Sequence, residues 1–349
     1  MGLWIGEGLF VGWIKSGFGA ASLLVIATAA MGNAVGQTVQ FTTCAASGAE
    51  GPTQAECDAA YAGTPLEGDV VVSDGIQNWT VPATGTYRIT AVGAQGASGD
   101  ADYEGGLGAR LQAELSLDSG TVLAVAVGQV GLDNECNGGG GGGSYVVDPA
   151  DEPLLVAGGG GGTRASVLQN GCDASLTTFG VMGSGNQQTS ECTVKDVDEG
   201  LGGIVSSNSW GSGGAGFLGD GAIDPSGGTT AALSWSSGML GGGIGASAEG
   251  GFGGGGSGDG SCGGGGGGGY SGGDGGRVAG GGGSFAAASA ANLVSEIAGL
   301  GDGSVTIEPL DTVAPAEPVA VPAISPFGIF LLSMLMLLIG TWLRMARRV

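Results

Sequence analysis

The segment GTYRITAVGA, residues 85–94, sets Tyr87, Ile89 and Ala91 against Arg88 and Thr90, and ARLQAELSL, residues 109–117, sets Leu111, Ala113, Leu115 and Leu117 against polar partners. A period of two sends alternate side chains to opposite faces of an extended strand, so one face is built for a core and the other for water. TVLAVAVG (121–128), SYVV (144–147) and PLLVAG (153–158) are short β-rich runs bounded by Gly, Pro or Asp, and GSVTIEP (303–309) supplies a closing strand. Short strands separated by turn signals predict an antiparallel β-sandwich with one solvated face per sheet. Residues 38–68 are polar and read as an entry loop.

Glycine runs lie between these strands, at 138–143, 158–162, 253–256, 263–269 and 280–283. Glycine loses more backbone freedom on folding than any other residue, and a single run would be a flexible linker. Several runs can instead find one another. Polyglycine adopts a polyproline-II-like helix with three residues per turn and no internal hydrogen bonds, so every N–H and C=O points outward and needs a partner when buried. Helices without side chains can approach closely enough to bond laterally. Tyr145, Phe252, Cys262, Tyr270 and Phe285 stand at the edges of or between the runs, which favours packing. The expected class is therefore all-β, a sandwich with inserted polyglycine-II helices.

Both ends carry membrane signals. After Lys15 comes the apolar run SGFGAASLLVIATAAMGNAVGQ, in which Ala34 and Gly36 fit the small-residue positions of a signal-peptidase site. Residues 1–36 read as a signal peptide with an over-extended start, in preference to an uncleaved helix. At the other end, 311–326 is a Pro-rich acidic tether, 327–343 is apolar and long enough to span a bilayer, and 344–349 is a basic tail. Arg344, Arg347 and Arg348 place that tail in the cytoplasm and the main body, 37–310, outside. VPAISPFG followed by the helix and basic tail resembles the bacterial IPTL-type C-terminal sorting signal, which implies handling by an exosortase-type membrane peptidase. Val321-Pro322-Ala323-Ile324 stands where that family has Ile-Pro-Thr-Leu, and Phe327 replaces its Trp.

Charge and composition narrow the function. Of 349 residues 42% are hydrophobic, enough to bury a core, and 82 are glycine without the strict period of collagen. The net charge is −23 and the only lysines are Lys15 and Lys195, so nothing could neutralise a row of phosphates and nucleic-acid binding is disfavoured. There is no histidine, which removes Ser-His and Cys-His nucleophile pairs and His-ligated metals. Six cysteines in an exported chain, none in a C-x-x-C pair, favour disulfides over zinc or redox chemistry.

FTTCAASGAEGPTQAECDAAY (41–61), IQNWTVPATGTYRITAVGAQGASG (76–99), LLVAGGGGG (154–162) and FGGGGSGDGSCGGGGGGGYSGG (252–273) closely resemble the glycine-rich extracellular region of the anaplastic lymphoma kinase and leukocyte tyrosine kinase receptors. GDGSVTIEP resembles that region's final strand. The resemblance spans roughly 38–309 and implies a TNF-like β-sandwich with polyglycine-II helices and a Cys44–Cys57 disulfide. It does not imply a kinase, because the glycine-loop, Val-Ala-Ile-Lys and His-Arg-Asp segments are missing, as is the EGF-like module that follows in those receptors. For the other cysteines the expected pairs are Cys172 with Cys192 and Cys136 with Cys262, a connectivity that the sequence leaves open.

Other motifs are weak. No glycine run is followed by Lys-Ser or Lys-Thr, which argues against phosphate loops. GYSGG (269–273) matches a nucleophile elbow by letter alone, since Ser271 has no histidine to serve it. Asp220, Asp259, Asp274 and Asp302 stand beside glycines, where calcium is the metal that oxygen ligands would take, although solvated turns are the preferred reading. DVDEG (196–200) lacks EF-hand spacing, and the NWT sequon at 78–80 sits among strand residues. The expectation is a bacterial, membrane-tethered surface protein that binds an extracellular protein or glycan in adhesion, envelope structure or recognition, without a cofactor. The alternative is a sensory ectodomain that takes a basic ligand and signals through a partner; an enzyme is a distant third.

Overall fold

The computed structural model describes residues 36–206, 210–258 and 262–313, together with Met334, Leu337 and Leu338 at helical positions. The expected signal peptide before Gly36, the sorting motif, the rest of the membrane segment and the basic tail lie outside the described residues. No helix among the described residues is long and apolar enough to cross a membrane.

The body is all-β. One sheet has the order β1 (Val39–Phe41), β11 (Ser304–Val313), β4 (Thr84–Val92), β5 (Gly108–Leu117), β10 (Ala291–Gly299). The other runs β2 (Val70–Ser73), β3 (Ile76–Thr80), β6 (Val122–Ala126), β7 (Ser144–Val147), β8 (Pro153–Ala157), β9 (Phe285–Ala286). Every strand pair is antiparallel. The two sheets share one core, to which Phe41, Tyr87, Ile89, Leu111 and Ile307 come from the first and Trp79, Leu123, Val125, Val146 and Leu155 from the second. Phe41 meets Trp79 edge-on, with ring centroids 6.2 Å apart.

In the first sheet the alternation in sequence is the alternation in burial. Tyr87, Ile89 and Ala91 are buried while Arg88 and Thr90 face outward, in register with Leu115, Ala113 and Leu111 of β5. The outer face is solvated and carries ion pairs from Arg88 to Glu114 and Glu308 and from Arg110 to Glu296. The last strand does not stop at residue 310. Its pairing with β4 shifts between Pro309 and Asp311 and resumes to Val313, so the first residues of the expected tether prolong the sheet. Proline has no N–H for the ladder, which makes an irregularity there the natural accommodation.

The second sheet departs from expectation. All four residues of β7 are buried, because its outer face is covered as well. Tyr145, Val147 and Val156 pack there against Phe217, Trp235, Met239 and Phe252. The expected entry loop contains a helix, α1 (Gln54–Tyr61), started by a capping box in which the Thr53 N–H donates to the Glu56 carboxylate and the Glu56 N–H donates to Thr53 Oγ1. The Thr53 N–H and the Thr53 hydroxyl, which both donate to the Glu56 carboxylate, hold that carboxyl below its ordinary pKa.

The covering layer is made of glycine. N–H groups of the run at 158–162 point in turn to three different neighbours: Gly159 and Gly162 donate to Gly268 and Gly265, Gly160 and Thr163 donate to Ala94 and Ala97, and Gly161 donates to Cys172. The run at 263–269 repeats the pattern. Gly265 and Gly268 donate to Gly138 and Gly141, Gly266 and Gly269 to Ser212 and Ala215, and Gly264 and Gly267 to Gly276 and Gly280. Donors three apart in a segment thus bond to the same neighbour and successive donors to different ones, which satisfies buried backbone groups without any sheet. A Cβ on Gly140 would run into the carbonyl of Gly266, and one on Gly267 into that of Gly159. Only glycine permits this spacing.

Candidate functional site

Disulfides join Cys44 to Cys57, Cys136 to Cys262 and Cys172 to Cys192, with Cα separations of 4.9, 5.2 and 5.4 Å. The first ties α1 to the end of β1, the second links two glycine segments, and the third closes a loop over the buried cluster of Val167, Val181 and Val278. No free cysteine is left among the described residues.

The aspartates singled out beside glycines are not brought together. Asp220 accepts the Ser234 N–H at 2.8 Å, Asp274 is ion-paired to Lys195 at 2.9 Å, and Asp302 accepts the Val130 N–H at 2.9 Å. Asp259 lies outside the described residues. Among the described residues no group of three His, Cys, Asp or Glu side chains is placed to hold a metal; Asp220, Asp274 and Asp302 each tie their own segment to another. Ser271 is buried, its hydroxyl donating to Thr178 O at 2.6 Å and accepting from the Gly200 N–H at 2.7 Å. Its hydrogen-bonding capacity is used structurally. Asn78 lies inside β3 and donates to Val71 O.

What the fold does assemble is a row of aromatic rings. Trp235, Phe217, Tyr270 and Phe285 lie nearly parallel, with successive centroids 5.8, 6.3 and 4.5 Å apart and interplanar angles of 16, 18 and 19°. Backbone bonds set their spacing. The Phe217 N–H donates to Tyr270 O, the Tyr270 N–H donates to Gly283 O, and Phe285 pairs with Val156 in β9. Trp235 opens a short 3-10 turn at Trp235–Ser237, and its indole N–H donates to Asp151 at 3.3 Å. Tyr145 backs the row. It is fully buried, its hydroxyl donates to the carbonyls of Gly253 and Gly269, and burial drives its pKa far above the ordinary phenol value.

One end of the row forms the floor of an open cleft between Trp235, Phe217 and Leu218, rimmed by Ser73, Asp74, Asn78 and Asp151. Leu218 is 63% exposed at its mouth. Further along, Tyr270 has its pKa raised by burial and then by the charges of Glu199 and Glu152. The surface therefore offers apolar side chains and half-exposed ring edges beside carboxylates and amide or hydroxyl groups, which suits a ligand group that is both apolar and a donor or cation. Phe217 and Trp235 were not identifiable in the sequence, because residues 163–251 carry no period of two and the two rings meet only through the glycine layer. An aromatic recurring in a Gly/Ser-rich stretch was the available signal.

No family model matches the chain. Over 97 residues it is 41% identical to the leukocyte tyrosine kinase receptor of Mus musculus, a match that covers 27% of this chain and 11% of the receptor. The chain thus corresponds to about a tenth of that relative's length, in a related ectodomain segment.

Proposed function

We propose that this protein is an exported, membrane-tethered binding protein of the cell surface, acting in adhesion or in recognition of a neighbouring protein or glycan, and built on a TNF-like sandwich with a polyglycine-II insert. The period of three in the lateral hydrogen bonds supports the polyglycine-II reading. The partial identity to a receptor ectodomain and three disulfides support an extracellular setting. The observation that carries the binding role is the aromatic row, Trp235 to Phe285, in which Trp235 and Phe217 are largely buried beneath a cleft lined by Asp74 and Asp151 while Tyr270 and Phe285 are half-exposed. The tail at 327–349 serves as sorting signal and anchor, and no step of the function requires catalysis, a cofactor or nucleic acid. A second reading, a sensory ectodomain for a basic ligand that signals through a partner, draws on the carboxylates Asp151, Glu152 and Glu199 around the same row.

The test is binding of the purified full-length chain to a basic peptide, an acidic peptide and neutral oligosaccharides, compared with Tyr270→Ala and Asp151→Asn. We expect retention of the basic peptide or an oligosaccharide and a loss of at least about tenfold in each variant, the scale of one buried aromatic or charged contact. Equal binding by the wild type and both variants would remove the row from the function.

A further inference from the structure

The described body holds five cationic side chains, and three of them are spent on carboxylates. Arg88, Arg110 and Lys195 all make ion pairs. Arg164 and Arg277 make none among the described residues. They converge on one indole, with guanidinium carbons 5.3 and 4.4 Å from the Trp210 ring centroid. In a chain with 32 acidic residues this is the opposite of what charge balance alone would produce.

The arrangement is held from the backbone. The Arg164 N–H donates to Arg277 O at 3.0 Å, and Arg164 Nε donates to Ala165 O at 2.8 Å, which fixes one guanidinium edge and leaves its terminal nitrogens unengaged among the described residues. Arg277 Nε is buried with no hydrogen-bond partner among the described residues, as is Arg88 Nε, but Arg88 has both terminal nitrogens on carboxylates. An orphaned charged donor of this kind is rare and calls for an acceptor. Trp210 itself sits at φ +99°, in a region that bulky side chains seldom adopt. Its N–H and that of Gly211 donate to Asp224, and its indole N–H donates to Asn186. The nearby carboxylate is thereby used up: the other Asp224 oxygen accepts the N–H and hydroxyl of Ser226. Burial and then the charge of Arg277 lower the pKa of Arg164.

We propose that Arg164 and Arg277, braced on Trp210, form a binding site for a tetrahedral oxyanion, a sulfate or phosphate group. Guanidinium forks match such an anion through paired N–H donors, and both side chains are held on the same indole. The acidic remainder of the molecule repels anions at long range, so recognition here is local and short-ranged. The same chemistry is presented by an ester on a surface polysaccharide and by the free ion.

Calorimetric titration and melting of the full-length chain with inorganic sulfate, inorganic phosphate, dextran sulfate and unmodified dextran test this. We expect both inorganic anions to bind and to raise the melting temperature, and dextran to do neither. Arg164→Gln and Arg277→Gln should each weaken anion binding at least tenfold, while Arg88→Gln, which removes a carboxylate-paired arginine, should not. Dextran sulfate binding more tightly than sulfate identifies a polymer ester as the source; equal affinity per sulfate identifies the free ion. The wild type binding neither inorganic anion would overturn the site, and so would unchanged binding in Arg164→Gln, whose side chain is only half-buried and whose loss the fold can absorb. A purely structural pair would lower the melting temperature on substitution with no anion-dependent shift in the wild type.

Discussion

Lys195 Nζ donates to Asp274 at 2.9 Å with both side chains almost fully out of water, at 7% and 4% exposure. The same ammonium donates to Gly272 O, and the same carboxylate accepts the Ile204 N–H at 3.0 Å. The pair fastens the strand-like segment after the Cys172–Cys192 loop to a glycine segment in which Asp274 is the one charged side chain. Removing one partner strands a buried charge, so Lys195→Met should lower stability by about 3–5 kcal/mol. Adding Asp274→Asn should recover part of that, because an amide oxygen can still accept from Ile204. Denaturant melts of the two variants decide it, and a single variant within about 1 kcal/mol of wild type would show that the pair is dispensable.

Gly266 tests the glycine layer. A Cβ there would meet Gly273 O and the Gly214 nitrogen at less than 3.0 Å, and separating those backbones would leave buried N–H groups without partners. Each orphan costs roughly 1–3 kcal/mol. Gly266→Ala should therefore lower the melting temperature and speed amide exchange in the neighbouring runs. Gly120, at φ +86° with open space around it, is the control: Gly120→Asn should change little, since Asn tolerates that conformation. Were the runs a linker, Gly266→Ala would be neutral or mildly stabilising.

Alkaline pH should unfold the protein through its phenols. Burial raises the pKa of Tyr61, Tyr87, Tyr145 and Tyr270 above the ordinary 10.0. In the unfolded chain these phenols ionise near pH 10, whereas the folded protein keeps them protonated. Their stabilisation is whole below that pH and declines as pH climbs towards the folded values. Ultraviolet titration should show only a minority of the five tyrosines ionised at pH 10.5 in folded protein, followed by a cooperative rise as the fold is lost. Smooth ionisation of all five near pH 10 would contradict the burial.

The Cys44–Cys57 bridge closes a loop of sequence separation 13. In the chain-entropy account a loop this size contributes about 3 kcal/mol. Cys44→Ala/Cys57→Ala should fall by that order in chemical denaturation, with α1 the first element to lose amide protection. Peptide mapping under non-reducing conditions that recovered either thiol free would refute the pairing.

Much of the sandwich was legible because β4 and β5 display their two faces letter by letter, with Ile89 and Ala113 inward and Arg88 and Glu114 outward. The strand β10 was not. Its ANLVSEIAG reads as indifferent because, as an edge strand, nearly all its residues are exposed and no face selects apolar side chains. Helix α1 was hidden behind the polar look of residues 38–68, although Thr53 and Glu56, three apart, spell a capping box. The closed outer face of the second sheet was beyond reach for another reason. Its cover is glycine backbone and the scattered rings of Phe217, Trp235 and Phe252, whose proximity depends on contacts between segments more than 100 residues apart, as in Tyr145 and Gly269. For the candidate site the cysteines were readable, and so was the packing of Tyr145, Tyr270 and Phe285 at the edges of the glycine runs; Phe217, Trp235 and the paired arginines were not.

The position of β11 has a mechanical consequence. It lies between β1 and β4, its register with β4 running from Ser304 opposite Val92 to Val313 opposite Thr84, while Val39 at the start of β1 faces Ile307. A pull on the chain beyond Val313 therefore runs along the strand axis and loads the hydrogen bonds of both ladders side by side, in shear, instead of peeling them one at a time. The force stays within a single sheet, and the glycine layer with its aromatic row lies outside that line of tension. A load applied at Val313 would thus be borne by β1, β11 and β4, and the aromatic row is built on other parts of the backbone.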